Sequence, residues 1–304
     1  MDKTSFSAGT IYGIIAYILW GILPLYWKLL SALDPFHILA FRIIFSLVLV
    51  SIILIAGKNF AWIKFFKNKR GCLLIILTAL IITFNWGIYI WAVNNGHTIE
   101  AAMGYYINPL LSIVLGLCVF KEKINRLQII SFSLAVIGVV IQIIFTGSPP
   151  WISLALALSF GIYGLLKKTI KLSALESLGS ETLAAFPVSL IFLIGSFGAG
   201  GKFPDLEGLS YIKDLPAFTL LMLSVCGIIT VLPLYLFAKS VKILPLSTVG
   251  FLQFLAPTLT FLTGVFIFRE SFSFHSLIVF GFIWAAVALY IISLKRKNSD
   301  IRTL

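Results

Sequence analysis

The sequence predicts an all-α integral membrane protein whose ten transmembrane helices form two inverted five-helix repeats. Three observations lead there: the apolar content, the spacing of the apolar runs, and a register in which one half of the chain repeats in the other. Of 304 residues, 60% are apolar and 11% charged, against roughly 45–50% and about 25% in soluble domains. With a mean hydropathy of +1.07, this composition excludes disordered, collagen-like, disulfide-scaffold and ordinary cytosolic proteins. A spanning helix takes about 20 apolar residues. Ten spans therefore leave space for short connections and none for a large soluble domain.

Apolar runs of spanning length fall at about 9–29, 36–56, 72–93, 101–119, 127–146, 150–169, 182–200, 216–238, 247–267 and 274–294. Polar residues, Gly and Pro separate them, as in Thr146-Gly147-Ser148-Pro149-Pro150 and in the stretches from Lys167 to Glu181 and from Lys202 to Asp214. The first run is too long for a secretory signal, carries Trp20, Pro24, Tyr26 and Trp27, and has no small-residue cleavage site behind it. It is expected to remain as a helix. Cys72, Cys118 and Cys226 are scattered through apolar runs and read as small hydrophobes in helices.

Lysine and arginine set the orientation, because positive loops stay on the cytoplasmic side. With a cytoplasmic N-terminus, the inside segments take all of the 23 basic residues except Lys28, Arg42, Lys202, Lys213 and Arg269. Both termini are then cytoplasmic, in a multi-pass protein of the cell membrane. The formal net charge of +12 is accounted for by short loops facing anionic lipid. It needs no nucleic-acid partner.

The repeat is clearest at an offset of 148. Pro109 meets Pro257, Gly116 meets Gly264, Phe120 meets Phe268 and Glu122 meets Glu270, while Lys121 becomes Arg269. In an apolar alphabet matched isoleucines mean little, but a Pro and a Glu thirteen residues apart in both copies mean more. A weaker match at offset 140 lays Trp20-Gly21, Leu25 and Lys28 on Phe160-Gly161, Leu165 and Lys168. The halves are 1–146 and 147–304. Each holds an odd number of helices, so the second enters the membrane from the opposite side, an arrangement that recurs in secondary transporters.

Charged groups at membrane depth cost at least about 2.5–3.5 kcal/mol on insertion scales and are functional candidates by default. Arg42 near the start of the second span and Glu181 at the start of the seventh occupy nearly equivalent repeat positions. Two readings stand: an ion pair across the repeat interface, or a gate or substrate contact. Lys28 and Lys168, near span ends, either snorkel to the surface or take part in gating. Glu100 is the acidic residue nearest a candidate cavity, and it reads either as a coupling group or as a helix N-terminal charge. Asn85 and Tyr89 share a helical stripe, and Asn108-Pro109 lies well inside the fourth span. There proline frees a backbone carbonyl, as Pro257 does one turn after Gln253 in the other half. A packed kink and a cavity-lining break both satisfy these facts.

No Walker A motif is present, since Gly200-Gly201-Lys202 lacks its first glycine and is followed by Phe203. His37, His97 and His275 have no metal-ligand spacing, and there is no nucleophile elbow. No cofactor is expected. A membrane-embedded enzyme acting on lipid is the runner-up, and it needs an acid, base or metal cluster that the sequence does not offer. A receptor or structural membrane protein comes third.

Several motifs carry a resemblance: Asn85-Trp86 with Tyr89-Ile90-Trp91-Ala92-Val93-Asn94; Gly104-Tyr105-Tyr106-Ile107-Asn108-Pro109-Leu110; Phe160-Gly161-Ile162-Tyr163-Gly164-Leu165; and Gly250-Phe251-Leu252-Gln253-Phe254 with Pro257-Thr258-Leu259. Together they resemble the RarD family of EamA-type permeases, in the drug/metabolite transporter superfamily. The resemblance covers nearly the whole chain and implies ten helices in two inverted halves. The sequence departs from the family pattern at His37, where relatives tend to carry a carboxylate ahead of the arginine matching Arg42.

The expected function is alternating-access transport of a small amphipathic or aromatic metabolite or drug. The cavity is expected between the first, third, fourth, sixth, eighth and ninth helices. Asn85, Trp86, Tyr89, Tyr105, Asn108, Tyr163 and Gln253 are the candidate substrate contacts; Arg42, Glu100, Lys168 and Glu181 are the candidate gating or coupling groups. The expected partners are the solute and the bilayer, and a homodimer is compatible with the sequence but not required by it.

Overall fold

The computed structural model describes residues 3–30, 33–94, 98–146, 151–198, 216–267, 269 and 274–300, and among these every regular element is helical. In chain order they are α1 (Lys3–Leu29), α2 (Pro35–Ala56), a single turn α3 (Ala61–Lys64), α4 (Lys69–Asn94), α5 (Thr98–Val119), α6 (Arg126–Thr146), α7 (Trp151–Thr169), α8 (Ala174–Gly198), α9 (Ala217–Ile243), α10 (Leu246–Gln253), α11 (Leu255–Leu262) and α12 (Phe274–Asp300). Among the described residues, eight helical stretches are long and apolar enough to cross a membrane, with α10, α11 and the π-helical turn Thr263–Ile267 together counting as one. Shorter apolar stretches, Gly104–Val119 and Leu277–Ser293, occupy α5 and α12.

Side-chain caps explain several boundaries. Asp34 accepts from the backbone N–H of Phe36 and His37 with Pro35 in the first turn of α2, the combination of N-cap acceptor and early proline that helices favour. Asn125 and Gln128 exchange backbone and side-chain bonds at the start of α6. Ser173 and Glu176 do the same at α8, with Ser173 N–H donating to Glu176 Oε2 at 2.7 Å, a capping box. That box corrects the sequence reading of a polar break running from Lys167 to Glu181. Helix α8 begins at Ala174, eight residues before the apolar run, so Glu181 lies two turns inside it.

The main packing pairs are α1 with α9 and α11, α2 with α8 and α9, α4 with α7 and α8, α5 with α7 and α10, and α6 with α12. Exchanging α1, α2, α4, α5 and α6 in order for α7, α8, α9, the α10–α11 stretch and α12 leaves this set unchanged. Backbone conformation repeats as well. Lys121 and Arg269, 148 residues apart, both take the left-handed region, at φ 52° and 55°.

Pro109 sits inside a continuous α5, whereas the helix around Pro257 is interrupted at Phe254, between α10 and α11. In each case a carbonyl four residues earlier, Tyr105 or Gln253, loses its helical N–H partner.

Candidate functional site

Four layers of side chains follow one another along α7 and the helices packed on it. The first centres on Arg42. Its guanidinium carbon lies over two indoles, 4.7 Å from the Trp27 ring and 4.5 Å from the Trp86 ring, and its Nε donates to Thr230 Oγ1 at 3.0 Å. Two cation–π contacts and one hydrogen bond hold the group in place. Among the described residues, its terminal nitrogens form no hydrogen bond and no acidic side chain reaches it. The sequence offered Glu181 as a partner; the structure puts Glu181 elsewhere.

Tyr26, Tyr89, Tyr105 and Cys226 surround the same group. Tyr26 Oη donates to the Met222 carbonyl at 2.5 Å and meets Cys226 Sγ at 3.0 Å. The Tyr89 and Tyr105 rings meet edge to face at 5.6 Å. Tyr105 keeps 42% of its surface accessible although it sits deep among the helices. That surface therefore faces a void inside the bundle, and half-buried Arg42, Trp27, Trp86 and Tyr89 share its wall.

The second layer is polar and buried. Asn85 Nδ2 donates to the Leu156 carbonyl at 2.9 Å and to Ser159 Oγ at 2.8 Å, tying α4 to α7. Gln253 Nε2 donates to Ser112 Oγ at 3.0 Å, tying α10 to α5. Asn108 Oδ1 is buried with no hydrogen-bond partner among the described residues, and the polar ends of Gln253 and Tyr17 are buried side by side. Unsatisfied acceptors in a buried layer are costly, about 1–3 kcal/mol each, and mark a place where a polar ligand group or water is accommodated.

The third layer is an aromatic plug. Tyr17, Trp20, Phe160, Tyr163 and Phe237 are in ring contact, with centroid separations of 5.4 Å for Tyr17–Trp20, 5.7 Å for Trp20–Phe160 and 5.9 Å for Phe160–Tyr163. Tyr163 is fully buried. It belongs to this plug and to the layer beneath it rather than to the void around Tyr105.

Charge fills the fourth layer. Lys167 is fully buried and Glu181 nearly so. Lys167 Nζ donates to both carboxylate oxygens of Glu181 at 2.7 Å and to Ser177 Oγ at 2.9 Å. Ser177 Oγ and Tyr163 Oη each donate to Glu181 at 3.1 Å. Beside this pair Lys168 Nζ donates to the Leu244 carbonyl at 2.5 Å and lies 3.7 Å from Glu122 Oε1. Glu122 in turn accepts from the N–H groups of Leu246 and Ser247 at 2.7 and 2.9 Å and from Ser247 Oγ at 2.7 Å. An anion thus holds the N-terminus of α10, where the helix dipole favours it. Lys168 does not snorkel into the open. The bundle is sealed at this end by two ion pairs and a helix cap.

The structure brings Arg42, Trp86, Tyr89 and Tyr105 together around one void, and sets Asn85, Asn108 and Gln253 in the layer beside it. Lys168 and Glu181 lie at the sealed end. The backbone of Glu100 is helical, but its side chain lies outside the described residues, as do the side chains of His97, Glu270 and the Gly200-Gly201-Lys202 stretch. Sequence reasoning missed Trp27, Thr230 and above all Lys167. Lys167 looked like half of a loop dilysine, and the Ser173-x-x-Glu176 spacing that starts α8 was the available signal that it is not.

The EamA-like transporter family model matches residues 7–144 and again residues 150–292. The uncharacterized transporter YojE of Bacillus subtilis is 41% identical, over 96% of this chain and 96% of its own. Protein RarD of Streptomyces exfoliatus is 38% identical, over 92% and 87%. A solved crystal structure superposes at a TM-score of 0.72 with 17% identity, across 95% of this chain and 98% of that one, a likeness of fold alone.

Proposed function

The chain belongs to the RarD group of the EamA-like transporter family, and from that premise we propose that it is a secondary transporter of a small metabolite or drug-like solute. It works by alternating access between two inverted five-helix halves, residues 1–146 and 147–304, in the cell membrane with both termini cytoplasmic. The observation that carries this reading is a void at bundle depth, lined by Arg42 and tyrosines and closed at one end by the buried Lys167–Glu181 pair beside the half-buried Lys168–Glu122 pair. Arg42 and Glu181 hold nearly equivalent repeat positions, yet Glu181 is locked by Lys167 while Arg42 has no acidic partner among the described residues. One access route is closed by charge pairing and the corresponding one is not, which is the asymmetry of a single state in an alternating cycle. Exchange-invariant helix pairing, the paired left-handed residues Lys121 and Arg269, and the family model matching twice support two related halves.

The test starts with an untargeted metabolite comparison of cells with and without the protein, followed by flux of the best candidate in proteoliposomes. Asn108→Ala is expected to lower that flux by about tenfold or more, the effect of losing one well-placed polar contact, with membrane insertion unchanged. Wild-type flux in the variant would remove Asn108 from the path. If proton movement through Glu181 drives the cycle, Glu181→Gln abolishes the response to an imposed pH gradient; an unchanged response assigns coupling elsewhere.

A further inference from the structure

We infer that Arg42 is the anchor for the carboxylate of a monoanionic solute, whose apolar or aromatic body lies against Tyr89 and Tyr105. This rests on the transporter reading and names the substrate class for it. A guanidinium at membrane depth requires compensation, and among the described residues the usual form of it, a carboxylate side chain, does not reach Arg42. Thr230 takes only Nε. The indoles of Trp27 and Trp86 lie against the cation, and with Nε taken by Thr230 the N–H groups of the two terminal nitrogens are left for binding.

That edge is a planar fork, the geometry that pairs with a carboxylate through two parallel hydrogen bonds. The two indoles hold it in one orientation before any ligand arrives, which lowers the ordering cost of binding. Charge sets the rest. Arg42 supplies a single positive charge to a wall otherwise made of tyrosine, tryptophan, cysteine and threonine, so a monoanion neutralises it and a dianion does not. No carboxylate faces the void from Arg42's described neighbours, so among the described residues nothing there pairs with a substrate ammonium. The accessible ring of Tyr105 and its edge-to-face partner Tyr89 offer a flat apolar surface next to the fork.

The experiment uses the full-length protein in nanodiscs and saturation-transfer NMR with matched probes: phenylacetate, its uncharged isostere phenylacetamide, acetate and phenyl phosphate. Empty nanodiscs give the lipid-partition blank. Phenylacetate is expected to bind at least about tenfold more tightly than phenylacetamide, the margin of a charge-assisted bidentate bond, and more tightly than acetate or phenyl phosphate. Arg42→Lys keeps the charge without the fork and is expected to weaken phenylacetate by about tenfold; Arg42→Gln is expected to remove the preference over the amide. Equal binding of acid and amide to the wild-type protein overturns the proposal without any variant needing to fold. So does tighter binding of phenyl phosphate, or wild-type phenylacetate affinity in Arg42→Gln. Flux separates the two levels. If Arg42→Gln carries the solute found by metabolite comparison at the wild-type rate, the anchor falls and the transporter reading stands. If phenylacetate binds through Arg42 while no carboxylate crosses the membrane, the anchor stands and the transporter reading falls.

Discussion

Replacing Lys167 alone by methionine is expected to destabilise the protein by about 3 kcal/mol, near the lower end of the range for breaking one side of a buried ion pair. Glu181 would then stay buried with only the hydroxyls of Ser177 and Tyr163 as donors. Those two bonds keep the loss below the upper end of the range, since part of the carboxylate remains satisfied. Adding Glu181→Leu to Lys167→Met is expected to restore most of the stability, because removing both charges also removes the cost of holding them away from water. Thermal unfolding in detergent measures both. A single variant as stable as wild type, or a double variant no better than the single, would sink this account. Flux is expected to behave differently from stability. If the pair closes one face of the bundle, the stable double variant still transports poorly, since an apolar seam lacks the charged alternative that lets the face open and close.

That pair also shows where sequence reasoning stops. The apolar runs, the Pro109/Pro257 register and the motif residues around Trp86, Tyr89 and Tyr105 were legible because periodicity and spacing are properties of the chain itself. The partner of Glu181 was not. Arg42 and Glu181 looked complementary because they hold matching positions in the two halves, but Arg42 meets Trp27, Trp86 and Thr230 while Glu181 meets Lys167, Ser177 and Tyr163. Lys167 is close to Glu181 for a local reason: the hairpin between α7 and α8 is only four residues long, and the capping box at Ser173 extends α8 back toward it. Trp27 was equally hidden. It entered the sequence reading only as a residue that makes the first run unlike a secretory signal, and only packing shows it against Arg42 together with Trp86. Asn85 looked like a substrate contact from its position on the stripe with Tyr89. Its amide donors are spent on Leu156 and Ser159, so part of its polarity holds two helices together.

The crossing of α5 with α10 gives an expected result of comparable size from a single carbon atom. A Cβ added at Gly250 would sit 2.7 Å from the Pro109 carbonyl oxygen, 2.7 Å from Ile113 Cγ1 and 3.2 Å from the Ile113 backbone N. Two of those three atoms are backbone and cannot rotate away, so the helices must separate. Gly250→Ala is therefore expected to destabilise by about 1–3 kcal/mol, the cost of overpacking a tight contact, despite the gain of up to about 1 kcal/mol that alanine brings to a helix interior over glycine. Gly281 in α12 is the control. Nothing lies within 4 Å of its added Cβ, so Gly281→Ala is expected to stabilise slightly by the same propensity term. Opposite signs for one chemical change isolate the crossing as the cause. The consequence for transport follows from where Gly250 lies, between the α10 N-terminus held by Glu122 and the Gln253–Ser112 bond that joins α10 to α5. Pushing these helices apart strains both links at once, so flux through Gly250→Ala is expected to fall by more than the loss of folded protein accounts for. Gly281→Ala should transport as the wild type does. If the two alanine variants have equal stability and equal flux per folded molecule, close backbone approach at this crossing has no part in the function.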